Sequence, residues 1–231
     1  MVMFTRLILA SSALAISATA LAAQSLGDGT YIHGFIGYSQ LQDSDFTGAI
    51  GGATQSVDTE FDAGFGLGLA IGKEIPQWSN DIIGTRIELE LSYRDSDVDG
   101  VNFTGNGPGP EGNISGDVTQ TSLFANLLFD FKQAGALTPF AGFGLGATYS
   151  DLDFSYGPGV ALDDTDTTFA AQVIAGVAYD INSSTAFTVD ARYARAFDVS
   201  SQRLAPNGAL TGNVEDDLDI FSVNFGLRYN F

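Results

Sequence analysis

Apolar and polar residues alternate along residues 61–73 with a period of two. One side of the alternation carries Phe, Leu, Ile and Ala, whereas the other carries mainly Gly, with Ala70 and Asp62. A two-residue period predicts a β-strand, because successive side chains of a strand point to opposite faces. An apolar face opposite a face of small or charged residues is expected where lipid lies outside and a polar interior lies inside. The pattern therefore predicts one strand of a transmembrane β-barrel.

The same alternation recurs in seven further segments. The strongest example is residues 83–93, where Arg86, Glu88 and Glu90 lie opposite Ile and Leu. Several charges on one face cannot all lie in lipid, so that face is expected to point inward. The eight predicted strands are residues 31–40, 61–73, 83–93, 119–131, 140–149, 169–180, 185–197 and 221–231. Eight strands predict an all-β protein, an eight-stranded antiparallel up-and-down transmembrane β-barrel.

Some positions need individual assignment. In the irregular first strand, Ile32, Ile36 and Tyr38 are predicted to point outward. Apolar residues that fall on the polar side of their strands are Phe124, Leu128 and Ile174. Aromatic residues predicted to form interfacial girdles are Trp78, Tyr38, Tyr93, Tyr149, Tyr179, Tyr193 and Tyr229.

The predicted connections alternate between short and long. Residues 74–82, 132–138 and 181–184 are short, whereas the long, acidic connections are residues 41–59, 95–118, 150–168 and 198–218. In bacterial outer-membrane barrels the short turns face the periplasm and the long loops face the exterior. An even strand count then places both mature termini in the periplasm.

The first residues predict a cleaved signal peptide. Arg6 supplies a positive start, residues 7–22 are apolar or small, and Ala20 and Ala22 form a small-x-small cleavage pattern. We expect residues 1–22 to be removed after Ala22 or Ala23, leaving one barrel domain over residues 23–231. The alternative, a retained membrane helix, is disfavoured because about 16 apolar residues are short for a span.

Composition narrows the function classes. The formal charge is −19, with 9 basic and 28 acidic residues, which argues against nucleic-acid binding. The chain has no cysteine. A barrel in the cell envelope needs no disulfide, because closure pairs its backbone groups.

Four segments carry a family resemblance: residues 31–39, 86–94, 139–146 and 226–231. Over residues 25–231 the chain resembles the eight-stranded OmpA-like and surface-antigen barrels of Gram-negative outer membranes. The resemblance implies a monomeric barrel in the cell outer membrane, with Tyr229 and Phe231 in the C-terminal signal that the barrel-assembly machinery recognises. It does not imply one activity, because such barrels serve as adhesins, structural anchors, surface antigens or narrow pores.

The alternation places nine charged residues on the inward faces of their strands, so they are expected to line the lumen. They are Asp62, Arg86, Glu88, Glu90, Arg94, Asp130, Asp190, Arg192 and Arg228. Opposite charges on different strands can form a plug, and we favour this interpretation because side chains can fill an eight-stranded interior. The alternative is a water-filled pathway. We therefore expect a structural and surface-interaction role, adhesin-like or surface-antigen-like, with a narrow porin-like ion channel as the alternative.

The acidic loops suggest contacts with cations. The segment from Asp95 to Gly100 begins like a calcium loop, but the Glu that such a loop requires would fall at position 106, which is Asn106. We predict no dedicated metal site and no cofactor. Weakly bound Ca²⁺ or Mg²⁺ could still bridge loop carboxylates to lipopolysaccharide phosphates, especially at Asp217 and Asp219, which have outward parity. Arg195 also has outward parity and is expected to reach headgroup phosphates.

An enzyme is the least favoured class. Some small outer-membrane barrels modify lipid A with a His and a Ser, and this chain has one histidine, His33, with inward parity. No Ser–His–acid spacing accompanies it, so we predict no catalytic residue. The long acidic loops are the expected site for an extracellular ligand.

Overall fold

The computed structural model describes residues 28–42, 44–50, 53–104, 114–133, 135–156, 160–204 and 210–231. The predicted signal peptide lies outside these residues. The strands are β1 (Thr30–Leu41), β2 (Ser44–Ile50), β3 (Ala53–Phe61), β4 (Ala63–Glu74), β5 (Ile83–Thr104), β6 (Ile114–Phe131), β7 (Leu137–Tyr156), β8 (Val160–Asp180), β9 (Thr185–Leu204) and β10 (Leu210–Asn230). A single 3₁₀ turn, Pro76–Trp78, lies between β4 and β5. Nowhere in the described ranges is there a helix with the length and hydropathy to cross a membrane.

Eight of these strands close into a cylinder. β1 pairs antiparallel with β4 on one side and with β10 on the other. From β4 to β10 each strand pairs antiparallel with the next in the chain. The predicted antiparallel up-and-down β-barrel is confirmed, and closure leaves no free sheet edge around the membrane-spanning wall.

The remaining two strands form a hairpin that extends the wall. β2 pairs with β3, and the hairpin joins β10 through Thr47 and Glu215 and joins β5 through Val57 and Phe103. β1 ends at Leu41 and β4 begins at Ala63, so the hairpin takes the place of these two strands at one end of the barrel. We call this the far end, and we call the opposite end, which carries the short connections, the turn end.

The segments predicted as long loops are in large part strand. β5 runs to Thr104 and β7 runs to Tyr156, well past the ends predicted for them. Asp97 pairs with Asp117, which in turn pairs with Asp153. In these extensions the sequence loses its regular apolar alternation, while the backbone ladder continues. Hydrophobic periodicity therefore predicts only part of the length of each strand.

The two faces of the wall are separated as the alternation predicts. Large apolar side chains at outward positions are exposed, with Ile36 at 67% and Leu91 at 55%, and Trp78 in the first turn is 65% exposed. Phe124 and Leu128, the apolar residues on the polar side of their strand, are buried inside the barrel. Ile174 is also interior and belongs to an apolar cluster with Leu128, Phe140, Ala178 and Ala186.

Candidate functional site

The candidate site is the charged interior of the barrel, and β5 supplies half of it. In a strand every second side chain points to the same face, so the even positions of β5 from Arg86 to Ser96 point inward. Arg86, Glu88, Glu90 and Arg94 are between 0% and 5% exposed. β9 contributes Asp190 and Arg192, which are equally buried.

The lower cluster, near the turn end, consists of Tyr31, Arg86, Glu88 and Asp130. Arg86 donates to the Glu88 carboxylate at 2.5 Å and to Asp130 through Nε at 3.0 Å. The Tyr31 hydroxyl accepts from Arg86 at 3.0 Å and donates to Glu88 at 2.8 Å. The Arg86 guanidinium also lies 4.9 Å from the centre of the Phe140 ring. One buried cation is thus held by two carboxylates, a phenol and an aromatic face.

The upper cluster consists of Glu90, Asp190 and Arg192. Arg192 donates to both carboxylates at 2.6 Å, and its guanidinium lies 4.1 Å from the centre of the Phe35 ring. Neutral side-chain amides also donate hydrogen bonds to the two carboxylates. Asn126 donates to Glu90 at 2.8 Å, and Asn224 donates to Asp190 at 3.0 Å. These contacts join five strands across the lumen.

Glycines opposite the aromatic rings make this packing possible. A Cβ built on Gly68 would lie 2.2 Å from Cζ of Phe35, and a Cβ on Gly72 would lie 2.2 Å from Cζ of Tyr31. The rings of Tyr31 and Phe35, which support Arg86 and Arg192, therefore occupy space that only glycine leaves free. The Gly-rich face of β4 is complementary to side chains on β1.

Two arginines complete the charge balance without a direct ion pair. Within the described residues, neither Arg94 nor Arg228 has a carboxylate within 4.0 Å. Arg94 donates to Ser92 at 3.3 Å, and Arg228 lies with its guanidinium 5.7 Å from the centre of the Tyr31 ring. Each cluster has two carboxylates and one arginine, so these two outer arginines offset the excess negative charge. The formal charges of the lumen sum to zero over Arg86, Arg94, Arg192, Arg228, Glu88, Glu90, Asp130 and Asp190.

Asp62, one of the charged residues predicted to line the lumen, lies apart from the others. Asp62 is exposed between β3 and β4, where its backbone amide donates to the Asp97 carbonyl at 2.9 Å. Its side chain makes no polar contact with the two clusters in the described part of the chain. The prediction that this strand begins at residue 61 is wrong by two residues, because β4 begins at Ala63.

The sequence prediction missed the aromatic members of the site. Tyr31 and Phe35 are 1% and 5% exposed and support the arginines from β1. Both residues lie at odd positions, on the face opposite to the outward Ile32 and Ile36. This alternation is the signal that could have placed them inside the barrel.

The lumen contains little free volume between the clusters. A cavity of about 10 Å³ lies among His33, Arg86, Glu88 and Arg192, which is space for about one water. At the turn end the lumen opens into a vestibule of about 740 Å³, lined by polar residues that include Asp130 and Arg228. Toward the far end, buried apolar side chains at inward or bulged positions are Leu41, Val118, Val199, Leu218 and Ile220.

His33 is part of the lumen wall. It is 4% exposed, and its Nε2 lies 3.0 Å from Oγ1 of Thr188. Its ring centre lies 5.6 Å from that of Phe35. Among the described residues, Thr188 is its one side-chain hydrogen-bond partner, so no nucleophile–His–acid chain is assembled here.

A separate charged cluster faces outward at the far end. Arg195 donates to both carboxylate oxygens of Asp219, at 2.6 and 2.5 Å, and lies 3.5 Å from Asp217. These hydrogen bonds hold the pKa of the Asp219 carboxyl below its ordinary value. We expected Asp217 and Asp219 to need external cations and Arg195 to reach phosphates. In the structure the three residues contact one another, and their contacts with cations and phosphates stay a prediction.

The calcium-like segment does not form a loop. Asp95, Ser96 and Asp97 lie within β5 and therefore alternate between the two faces of the wall. No group of three or more acidic or histidine side chains that could hold a metal occurs among the described residues.

Comparison with solved structures supports the same architecture. The chain is similar to OprG, an outer membrane protein of Pseudomonas aeruginosa, with 17% identity and a TM-score of 0.59 over 88% of this chain and 97% of that chain. It is similar to Neisserial surface protein A, with 15% identity and a TM-score of 0.52 over 88% of this chain and 98% of the other. The outer membrane protease OmpT of Escherichia coli matches with 9% identity and a TM-score of 0.55, over 87% and 97% of the two chains. At these identities the likeness shows the fold alone.

The sequence comparisons agree with the fold. A search of curated proteins finds no match. The family model described as the outer membrane protein beta-barrel domain matches residues 7–231, almost the entire chain. Because that match covers far more than half of the chain, this protein belongs to the outer membrane protein β-barrel domain family and is located in the outer membrane.

Proposed function

We propose that this barrel has a structural and surface-interaction role, adhesin-like or surface-antigen-like, and that its lumen is plugged by the two charge clusters. The observation that carries the proposal is Arg192, which is held at 2.6 Å by both Glu90 and Asp190 with all three side chains almost completely buried. An ion crossing the barrel would have to separate such pairs in a dehydrated interior, where breaking a buried pair is costly.

The orientation of the barrel follows from its connections. We place the turn end in the periplasm, together with both mature termini, and the far end at the cell surface. The extended strands and the β2–β3 hairpin, whose sequences are rich in acidic residues, then lie at the cell surface, where we propose that an extracellular ligand binds. Lipopolysaccharide surrounds this end, and weakly bound divalent cations remain the proposed link between the acids and its phosphates.

The C-terminal strand supports the proposed route of assembly. Tyr229 is exposed on the outward face of β10, and its ring packs edge-on against Phe231 at 5.2 Å. These are the aromatic positions that we assign to recognition by the barrel-assembly machinery. The closed wall needs no partner chain, which supports a monomer.

A narrow porin-like channel is the second candidate, and a specific observation favours it. Arg94 and Arg228 stand above and below the paired charges without a carboxylate within 4.0 Å in the described part of the chain, and Arg228 borders the large vestibule. Rearrangement of the pairs toward these arginines would create a path lined by charge.

We propose that the protein is not an enzyme, although OmpT, to which its fold is similar, is an outer membrane protease. His33 is buried and hydrogen-bonded to Thr188, which supports a structural role. A lipid A acylase or deacylase activity that disappears in His33→Ala would contradict this proposal.

Planar-bilayer conductance of the refolded protein tests the plug. The proposal expects no steady openings for the wild type, and it expects Glu90→Ala to introduce openings because Arg192 loses one of its two carboxylates. Leu89→Ala, a change at the neighbouring lipid-facing position, is the matched control and should conduct no better than the wild type. Steady wild-type openings whose size changes in Arg86→Ala or Glu90→Ala would instead establish the channel.

A further inference from the structure

The outer surface of the barrel carries an apolar groove near the turn end. The groove crosses β4 to β7, has a volume of about 680 Å³, and is far more apolar than the vestibule. Its main lining residues are Ile71, Ile87, Leu89, Ala125, Phe143 and Leu145. A volume of this size lies in the range of ligand sites, roughly 300–1,000 Å³.

A small residue between larger ones produces the depression. Ala125 pairs with Leu89 on β5 and with Leu145 on β7, so three lipid-facing side chains lie in one row across the wall. Leu89 and Leu145 are each 52% exposed and stand on either side of the methyl group of Ala125. The row therefore forms a trough rather than a flat surface.

The groove has a polar entrance at the turn end. Lys73 lies near the end of β4, is exposed, and lines the groove together with Trp78. Tryptophan prefers the membrane interface, and a lysine at this depth can extend its ammonium group to the headgroup region. The groove thus runs from a cationic, interfacial end into the apolar zone of the wall.

We propose that this groove binds one acyl chain of a phospholipid in the leaflet at the turn end, with the lipid phosphate at Lys73. Charge complementarity and the apolar lining both fit this occupant. The assignment to the periplasmic leaflet rests on the orientation proposed above, whereas the binding site itself does not. Because lipid tails and detergent tails are equally apolar, selectivity at such a site comes from packing and from the headgroup contact.

Native mass spectrometry of the folded protein in detergent tests the site. The probes are dioleoylphosphatidylglycerol and dioleoylphosphatidylcholine, which share acyl chains and differ in headgroup charge. We expect the wild type to bind one phosphatidylglycerol about fourfold more strongly than phosphatidylcholine. Lys73→Gln should remove most of that preference while binding of phosphatidylcholine persists.

A matched pair of variants tests the trough. Ala125→Leu fills it and should weaken binding of the first lipid about fourfold. Ala175→Leu is the control, because Ala175 is also lipid-facing and lies at a similar distance from the turn end of β8, but it does not line the groove. Phe143→Ala, which removes one wall, is a second variant expected to weaken binding.

The outcomes separate clearly. Equal lipid binding by Ala125→Leu and Ala175→Leu, or a wild type that binds both headgroups alike, would overturn the proposal. Heat modifiability on a gel verifies that each variant is folded before it is compared. The lumen is not altered by these substitutions, so failure here is distinguishable from failure of the plug.

Discussion

At the residue scale, the lumen is stabilised by charges that each have several partners. Glu90 is fully buried and accepts hydrogen bonds from both Arg192 and Asn126. Removing one partner of a buried pair leaves the other charge without compensation, which costs more than the pair itself contributes. Single substitutions inside the barrel should therefore have large effects.

Glu90→Gln tests this expectation. The change keeps the shape of the side chain but removes its charge, so Arg192 retains only Asp190, and we expect a loss of about 2–3 kcal/mol of unfolding free energy. Urea unfolding of the barrel refolded in phospholipid vesicles measures the change. Glu74→Gln, at an exposed position at the end of β4, should alter stability by no more than about 0.5 kcal/mol. Equal losses in the two variants would contradict the buried network.

A second residue-scale prediction concerns the glycine face of β4. Gly68→Ala places a methyl group against Phe35, which lies under Arg192, and should cost about 2 kcal/mol. Gly34→Ala is the control, because a Cβ there has Leu69 as its nearest neighbour at 3.9 Å. The same unfolding experiment measures both variants. If Gly34→Ala proved as destabilising as Gly68→Ala, the close packing of Gly68 against Phe35 would not explain the loss.

At the element scale, β9 and β10 are locally distorted just beyond the membrane. Their register shifts between Asp216 and Leu218, and Asp198 on β9 has a φ of 52°. The backbone amide of Asp198 donates to the Asp217 carboxylate at 3.0 Å. Asp is one of the few residues other than Gly that tolerate this conformation. The bulge turns Asp217 toward Arg195, so the distortion and the outward ion cluster form together.

The outward cluster predicts a dependence on pH. The pKa of Asp219 is lowered in the folded protein, so its contribution is present above the ordinary pKa of an aspartate, about 3.9, and is lost as the pH falls through the lower folded value. Arg195→Gln should therefore reduce the loss of stability between neutral pH and about pH 3. Unfolding free energies at the two pH values measure this difference.

A control separates this effect from the titration of other acids. Lys132→Gln removes an exposed cation that donates to the Asn80 carbonyl and contacts no carboxylate in the described residues. It should retain the pH dependence of the wild type. An Arg195→Gln variant with the full wild-type dependence would show that the pair contributes nothing.

At the scale of the whole molecule, the alternation predicted which face of each strand points into the barrel, but it did not predict which residues contact one another. The alternation in 83–93 was sufficient to place Glu88 and Glu90 inside. It could not predict that Arg192, 102 positions along the chain, would bind Glu90, because that contact depends on the stagger of strands around a closed barrel. The β2–β3 hairpin was also missed, since its sequence shows no regular alternation of apolar and polar residues.

The central claim is that one face of each strand meets lipid while the other meets an occluded lumen, and spin labelling along β5 tests it directly. The chain has no cysteine, so single cysteines at positions 87 to 92 can be introduced and labelled without background. In phospholipid vesicles, labels at 87, 89 and 91 should collide freely with oxygen. Labels at 88, 90 and 92 should be shielded from both oxygen and a water-soluble nickel chelate. Equal accessibility at neighbouring positions, or a period near 3.6 residues, would contradict the barrel.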